Sequence, residues 1–326
     1  MKNIEKIKRI QVDLLKLKPI EIQKGVYDSY NVYLKNFFNN QIPIEKYFEK
    51  VNCPLCGGNK YEKLIKIDFF VYLRCSNCKS IYNNPRLKIK FLNEMYKKGE
   101  YENYVKKLTL PGDNIRKNLT EVRKFDQVQS LFKNSGKILD VGCGAGVFLS
   151  IAHKNNWECT GVDLSSSGVS SSRAKGMEVL EISFDDYATS KKFNCISFWG
   201  VLEHLANPIK TIKKALSMLD NNGIIVFEVP SADSLLMEYV EKNNLTPYRY
   251  IESARHLTFF SMESIDLMCN QNNLKLEYIE SNGLDLQTIL LHELDSEIID
   301  KIKNIQQIID ENMSGDHYRV FLRKLK

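Results

Sequence analysis

Four cysteines stand in two pairs, Cys53-x2-Cys56 and Cys75-x2-Cys78, with eighteen residues between the pairs. Each CxxC turn brings two thiolates to one side of a tight knuckle, and Gly57-Gly58 relieves the backbone after the first pair. Two such knuckles supply four sulfurs to one tetrahedral ion, which is the spacing of a small zinc ribbon. A redox-active CxxC belongs at a strand-to-helix junction, and neither pair has that context. Four thiolates leave no open coordination position, so the expected Zn2+ is structural. A segment this short buries too little apolar surface to fold alone. Bound zinc would contribute on the order of 10–16 kcal/mol to its folding. On this reading, removing the ion should unfold the ribbon and leave the rest of the chain folded.

A second constellation is Ile138-Leu139-Asp140-Val141-Gly142-Cys143-Gly144-Ala145-Gly146. An apolar strand ends in GxGxG and passes directly into a helix that begins near Val147. The glycines let the backbone turn sharply and approach a ligand closely, at a helix N-terminus where free amides point outward. Asp163 ends the next strand, where a carboxylate can accept hydrogen bonds from both ribose hydroxyls of an adenosine. A dinucleotide-binding GxGxxG would need glycine at 147, where this chain has Val147, and an apolar residue at the position of Asp140.

These residues need elements to hold them. Ile4, Ile7, Ile10, Leu14 and Leu17 recur at helical spacing up to Pro19, and an apolar-aromatic stretch follows from Val26 to Phe38. The periodicity predicts a helical N-terminal segment over 1–50, the ribbon over 51–92 and a helical connector over 93–135. Amphipathic helices in the first segment would pack on a core or pair subunits in an oligomer. From 136 to 326, β-like runs alternate with helical stretches: 137–142, 158–164, 177–182, 194–201, 223–229, 274–280 and 318–325. Seven strands with intervening helices predict an α/β fold with a doubly wound sheet. Ile298, Ile302, Ile305 and Ile309 form one stripe on the last predicted helix, which Gly315 ends.

The chain of 326 residues is 43% hydrophobic and 26% charged, which excludes a wholly disordered or fibrous protein. Eight cysteines are too few for a disulfide-dense secreted scaffold. No stretch approaches the ~20 apolar residues of a membrane span. The first ten residues break their apolar positions with charges, unlike a signal peptide, so the cytoplasm is the expected compartment. Charge is unevenly spread: residues 1–136 carry a net +13 and residues 137–326 a net −7. The basic half predicts an anionic partner, such as a nucleotide-linked substrate, a nucleic acid or a membrane surface.

Together LDVGCGAG and the following GVDLS resemble motif I and the ribose acid of Rossmann-like methyltransferases that use S-adenosylmethionine. FNCISFWGVLEHLANP resembles that superfamily's fourth strand and the loop after it, and RHLTFFS resembles a segment after the fifth strand. The resemblance spans 136–326 and implies the fold, the cofactor and several contacts. Asp140, Gly142, Gly144 and Gly146 would cradle the methionine part of the cofactor, and Asp163 its ribose. Phe184, Asp185 and Asp186 would lie beside the adenine. Trp199 to His204 would pass the sulfonium, with Glu203 as an acidic neighbour of that cation.

A ribbon joined to such a core is similar to methyltransferases of sugar and surface-polysaccharide pathways, including sugar C-methyltransferases. That similarity makes His256 the first candidate general base and His204 its assistant, and it implies a nucleotide-sugar or lipid-linked sugar as acceptor. Arg255 stands where the C-methylating relatives commonly carry glutamate, which favours O-methylation and offers a cation for an anionic group. Tyr101 and Tyr104 are candidates to line the acceptor pocket. RNA methyltransferases with zinc ribbons are the second resemblance, supported by the basic half. Against them, the Asn/Asp-Pro-Pro-aromatic element of base amino-group methylation is replaced here by Gly200-Val201-Leu202-Glu203.

Overall fold

The structure is a computed structural model and describes residues 4–7, 20–97, 105–110, 114, 117–243, 250–290 and 296–325. Helix α1 (Ile20–Leu34) leads to the cysteine-bearing hairpin, built of β1 (Tyr61–Ile67), β2 (Phe70–Cys75) and β3 (Ile81–Asn83), and then to α2 (Ile89–Lys97). Helix α3 (Val122–Ser130) precedes β4 (Lys137–Val141), α4 (Val147–Lys154), β5 (Glu158–Asp163), α5 (Ser166–Ala174) and β6 (Glu178–Glu181). Then follow β7 (Phe193–Trp199), α6 (Pro208–Met218), β8 (Leu219–Pro230), α7 (Leu235–Asn243), β9 (Thr258–Phe259) and α8 (Met262–Gln271). The chain closes with β10 (Leu274–Asn282), α9 (Asp285–Ile289), α10 (Ser296–Glu311) and β11 (His317–Lys324).

The seven expected strands assemble into one sheet in the order β6-β5-β4-β7-β8-β11-β10. Neighbours from β6 to β8 run parallel, and β11 is antiparallel to both β8 and β10. Ile224, Ile225, Val226 and Phe227 of β8 are all fully buried, because helices cover both faces of a central strand and no polar alternation is needed. The order reverses between β4 and β7, and the crevice at the C-terminal ends of those two strands is where such sheets bind ligands.

The cysteine hairpin is not a separate body. Its sheet has four strands in the order β9-β3-β2-β1, so one strand comes from the segment that follows His256. Thr258 pairs with Tyr82 and Phe259 with Ile81. One hairpin face, with Leu73, Cys75, Cys78 and Tyr82, joins the same apolar cluster as Leu139, Phe198, Phe227 and Phe260 of the main core. The other face, with Ile67, Phe70 and Tyr72, packs with Leu34 of α1, Val240 of α7 and Leu257. The apolar residues Tyr30 and Leu34 of α1 are thus covered within this chain.

Of the first apolar repeat, Ile4–Lys6 form a short 3-10 turn with Ile4 buried in the cluster of Phe125 and Phe148, while Ile10, Leu14 and Leu17 lie outside the described residues. One expectation for the helices changes. On α10 the isoleucine stripe is split: Ile302 is buried but Ile305 is 51% exposed. Gln306 and Asp310 take the inward positions, because Gln306 hydrogen-bonds Asp285 and Asp310.

Candidate active site

The strand β4 ends in the glycine loop at the point where the sheet order reverses. Gly142 and Gly144 have φ of +70° and +51°, a region that side chains with a Cβ rarely enter. A Cβ on Gly142 would lie 2.5 Å from Val201 Cγ2, whereas one on Gly144 would project into open space with no atom within 4 Å. That open flank, beside the exit of β4, is a cradle that a side chain would fill and an adenosyl cofactor fits. Asp163 fixes the loop from the neighbouring strand, since its carboxylate accepts from Gly144 N at 2.8 Å and Ser165 N at 2.7 Å.

Asp140 is 2% exposed and accepts a hydrogen bond from Ser197 Oγ at 2.7 Å. Burial pushes its carboxyl up to about 8, and the Ser197 hydrogen bond only partly opposes that shift. On the far side of the crevice, β7 delivers Trp199, whose indole Nε1 is buried with no hydrogen-bond partner. Its ring meets Phe148 edge-on at 5.3 Å and carries the Lys124 ammonium 5.0 Å from its centroid.

Lys124 belongs to a buried charge network that sequence reasoning did not find. Arg123 of α3 grips Glu280 of β10 through two 2.6 Å bonds, and Arg319 of β11 holds Glu228 of β8 at 2.6 and 2.9 Å. Lys124 bridges Glu121 at 2.9 Å and Glu228 at 3.6 Å. Burial alone would raise the Glu228 carboxyl, but the Lys124 and Arg319 cations outweigh it and hold the group well below the usual carboxylate range. A hint was present in the sequence, since Glu228 and Arg319 interrupt otherwise apolar strands and so must be paired.

The loop after β7 and the segment before β9 are zipped together. Leu257 N donates to the Glu203 carbonyl at 2.8 Å, and His204 Nδ1 is 2.9 Å from the Arg255 carbonyl. His256 Nδ1 is 2.7 Å from the Tyr250 carbonyl. A carbonyl only accepts, so both rings carry their proton on Nδ1 and present the Nε2 lone pair. The two rings lie 4.9 Å apart between centroids. Glu203 is 3% exposed, with Oε1 3.8 Å from His204 Nε2 and Oε2 lacking any hydrogen-bond partner. Burial lowers His204 to about 3 and His256 to about 4, and it raises Glu203 to about 8. Both imidazoles are therefore neutral acceptors at neutral pH.

Other candidates are placed differently. Arg255 pairs with Glu252 at 2.6 Å, so its guanidinium is held within its own loop. Phe184 is buried and packs edge-on against Phe198 in the apolar core. Asp185 and Asp186 are exposed, and Asp186 accepts from Ser183 Oγ at 2.6 Å within its own turn. Tyr101 and Tyr104 lie outside the described residues.

The cysteine cluster is formed as its spacing predicts. Cys53 and Cys78 Sγ are 3.6 Å apart, Cys56 and Cys75 Sγ are 3.5 Å apart, and all four sulfurs lie within 4.8 Å of one another. Those separations exceed a disulfide's ~2.05 Å and suit the edges of a tetrahedron around an ion bound at ~2.3 Å. Ser80 Oγ sits 3.2 Å from Cys53 Sγ and 3.1 Å from Cys78 Sγ, and Gly58 N donates to Cys56 Sγ at 3.3 Å, contacts that suit thiolates. Among the described residues, no helix is long and apolar enough to cross a membrane.

A ubiquinone biosynthesis O-methyltransferase of Histophilus somni is 26% identical over 116 residues, 32% of this chain and 49% of that protein. Its counterpart in Hydrogenovibrio crunogenus is 25% identical over 53% of this chain and 74% of its own length. The chain spans about half the length of the first of these curated relatives. A solved structure described as a methyltransferase dependent on S-adenosylmethionine, possibly a histamine N-methyltransferase, from Thermotoga maritima is 16% identical, with a TM-score of 0.47 over 72% of this chain and 97% of that one. Residues 115–279, just over half of the chain, match the family described as methyltransferase domain, and the chain belongs to that family.

Proposed function

We propose that the protein is an S-adenosylmethionine-dependent O-methyltransferase whose acceptor is a sugar hydroxyl, on a nucleotide-sugar or a lipid-linked glycan. The observation that carries the reading is the pair of neutral imidazoles, His204 and His256, at the same sheet end as the glycine loop. O-methylation agrees with the names of the curated relatives. The sugar is supported by the resemblance of the ribbon-plus-core arrangement. A phosphorylated acceptor also suits the net +13 of residues 1–136. A second reading, an acceptor in ubiquinone biosynthesis, is favoured by the relatives' names alone.

The cofactor, when bound, supplies a methyl group already activated on a sulfonium. Gly142, Gly144 and Asp140 would hold its methionine part, Asp163 its ribose, and Trp199 would wall the methyl side. His256 and His204 orient the acceptor hydroxyl by accepting its hydrogen bond at Nε2. Transfer of the methyl group to that oxygen would release the hydroxyl proton, which the same two imidazoles would pass on to solvent. The four cysteines would hold a structural Zn2+ that braces the hairpin behind β9.

Transfer of labelled methyl to a panel of nucleotide-sugars, quinol precursors and bulk RNA tests the reading. Label on a sugar oxygen is expected. Label on the quinol precursor selects the second reading, and label in RNA overturns both. His256→Ala should lower turnover by about 100-fold or more, with cofactor affinity nearly unchanged. Unaltered turnover would remove His256 from the mechanism.

A further inference from the structure

We propose that Glu203, His204 and His256 bind a divalent transition-metal cation that seats the acceptor oxygen, a second metal site distinct from the cysteine cluster. The inference rests on reading these residues as the acceptor side of the active site. One ligand atom from each of the three lies within 4.8 Å of the others. Bonds of ~2.0–2.2 Å from a shared ion set tetrahedral ligand separations of about 3.3–3.6 Å, so the 3.8 Å from Glu203 Oε1 to His204 Nε2 has only a few tenths of an ångström to close.

Two further observations point to an ion rather than to a packed cluster. Metal-ligating histidines almost always donate their other ring N–H to a carbonyl or carboxylate, which fixes the tautomer and aims the free lone pair. Both rings are held in that way, His204 by the Arg255 carbonyl and His256 by the Tyr250 carbonyl. Glu203 Oε2 is buried without a hydrogen-bond partner, a costly state that a cation would relieve. The neighbouring cation Arg255 is neutralised by Glu252 at 2.6 Å and does not oppose a bound charge. Two imidazoles and one carboxylate leave coordination positions open and suit zinc, manganese, iron or cobalt better than magnesium. With the ion bound, both Nε2 lone pairs coordinate it in place of the hydroxyl's hydrogen bond, and the acceptor hydroxyl, itself bound to the ion, becomes more acidic, so its proton departs to solvent without a strongly basic side chain.

Co2+ titrated into the full-length protein, with the cysteines left filled by Zn2+, tests the site by visible absorption. One equivalent per chain should bind with the weak bands of nitrogen and oxygen ligands and without a thiolate charge-transfer band. His204→Ala, His256→Ala and Glu203→Gln should each weaken uptake by about 10–100-fold or more, while a cooperative thermal unfolding transition reports that each variant is folded. No uptake, uptake with thiolate bands only, or equal uptake by wild type and variants would overturn the proposal. Should methyl transfer to a hydroxyl persist without any such ion, the metal site falls and the O-methyltransferase reading stands. If Co2+ binds as expected but no hydroxyl acceptor is methylated, the function reading falls instead.

Discussion

The backbone N–H of Asn83 donates to the carbonyl of Leu257 at 3.0 Å, so the cysteine hairpin holds the residue next to His256 by a main-chain bond. Tyr72 of the same hairpin donates to the His256 carbonyl at 3.3 Å, and Ser261 Oγ donates to the Cys78 carbonyl. The cysteine knuckle, the third hairpin strand and the histidine segment form one mechanical unit.

That unit changes what metal removal should do. With Cys75 and Cys78 inside the main apolar cluster, the ribbon cannot open without exposing part of the core. Stripping the ion with a chelator and a thiol reagent should therefore give a single melting transition at lower temperature, not a separate early one. A loss of ~10 kcal/mol would lower Tm by roughly 15 °C in a chain of this size. Differential scanning calorimetry that shows an unmoved main transition would mean the hairpin folds independently.

Arg123 and Glu280 make a buried, two-bonded ion pair between α3 and β10, with 7% and 1% of the side chains exposed. Removing one partner leaves a charge uncompensated away from water. Arg123→Met should cost about 3–5 kcal/mol by denaturant unfolding. Arg123→Met/Glu280→Leu should recover much of that loss. Equal stability of the single variant and the wild type would show that Arg319, 3.3 Å from Glu280, satisfies the carboxylate alone.

Legibility followed the range of the interactions. All seven strands of the main sheet were readable because each carries its own apolar run, and the glycine loop and cysteine pairs announce themselves within a few residues. β9 was not readable: Thr258-Phe259 is two residues long and becomes a strand only because Ile81 and Tyr82 lie beside it. The same holds for the meeting of Lys124 and Arg319 at Glu228, which is remote from both in sequence. His204 and His256 were singled out by motif context, but the carbonyls that fix their tautomers come from a fold-dependent loop. Ile305 misled the helical stripe because periodicity gives a face, not which face the neighbours cover.

Asp163 holds the glycine loop and is the proposed ribose ligand. Asp163→Ala removes both hydrogen bonds to Gly144 and Ser165 as well as the ribose contacts. At about 1.5 kcal/mol for each hydrogen bond to a charged group, two lost ribose bonds weaken cofactor binding by about 100-fold. Isothermal titration with S-adenosylmethionine measures this directly, and a wild-type affinity would put the ribose elsewhere.

Asp140 should make cofactor binding depend on pH. Burial holds its carboxyl near 8 in the protein without cofactor, so at pH 7 about nine in ten molecules carry the proton. A cofactor with a sulfonium and an ammonium favours the ionised carboxylate, and binding below pH 8 must therefore release a proton. By linkage, affinity rises with pH, close to tenfold from pH 6 to 7 and about fivefold from pH 7 to 8, and levels off above that. Calorimetry at pH 7 in buffers of different ionisation enthalpy should detect nearly one proton released per cofactor. Asp140→Asn should bind more weakly at pH 8 and lose most of the slope, while Asp163→Ala keeps it. A slope that survives in Asp140→Asn would assign the proton to another group, with Glu203, also raised to about 8, the next to be replaced.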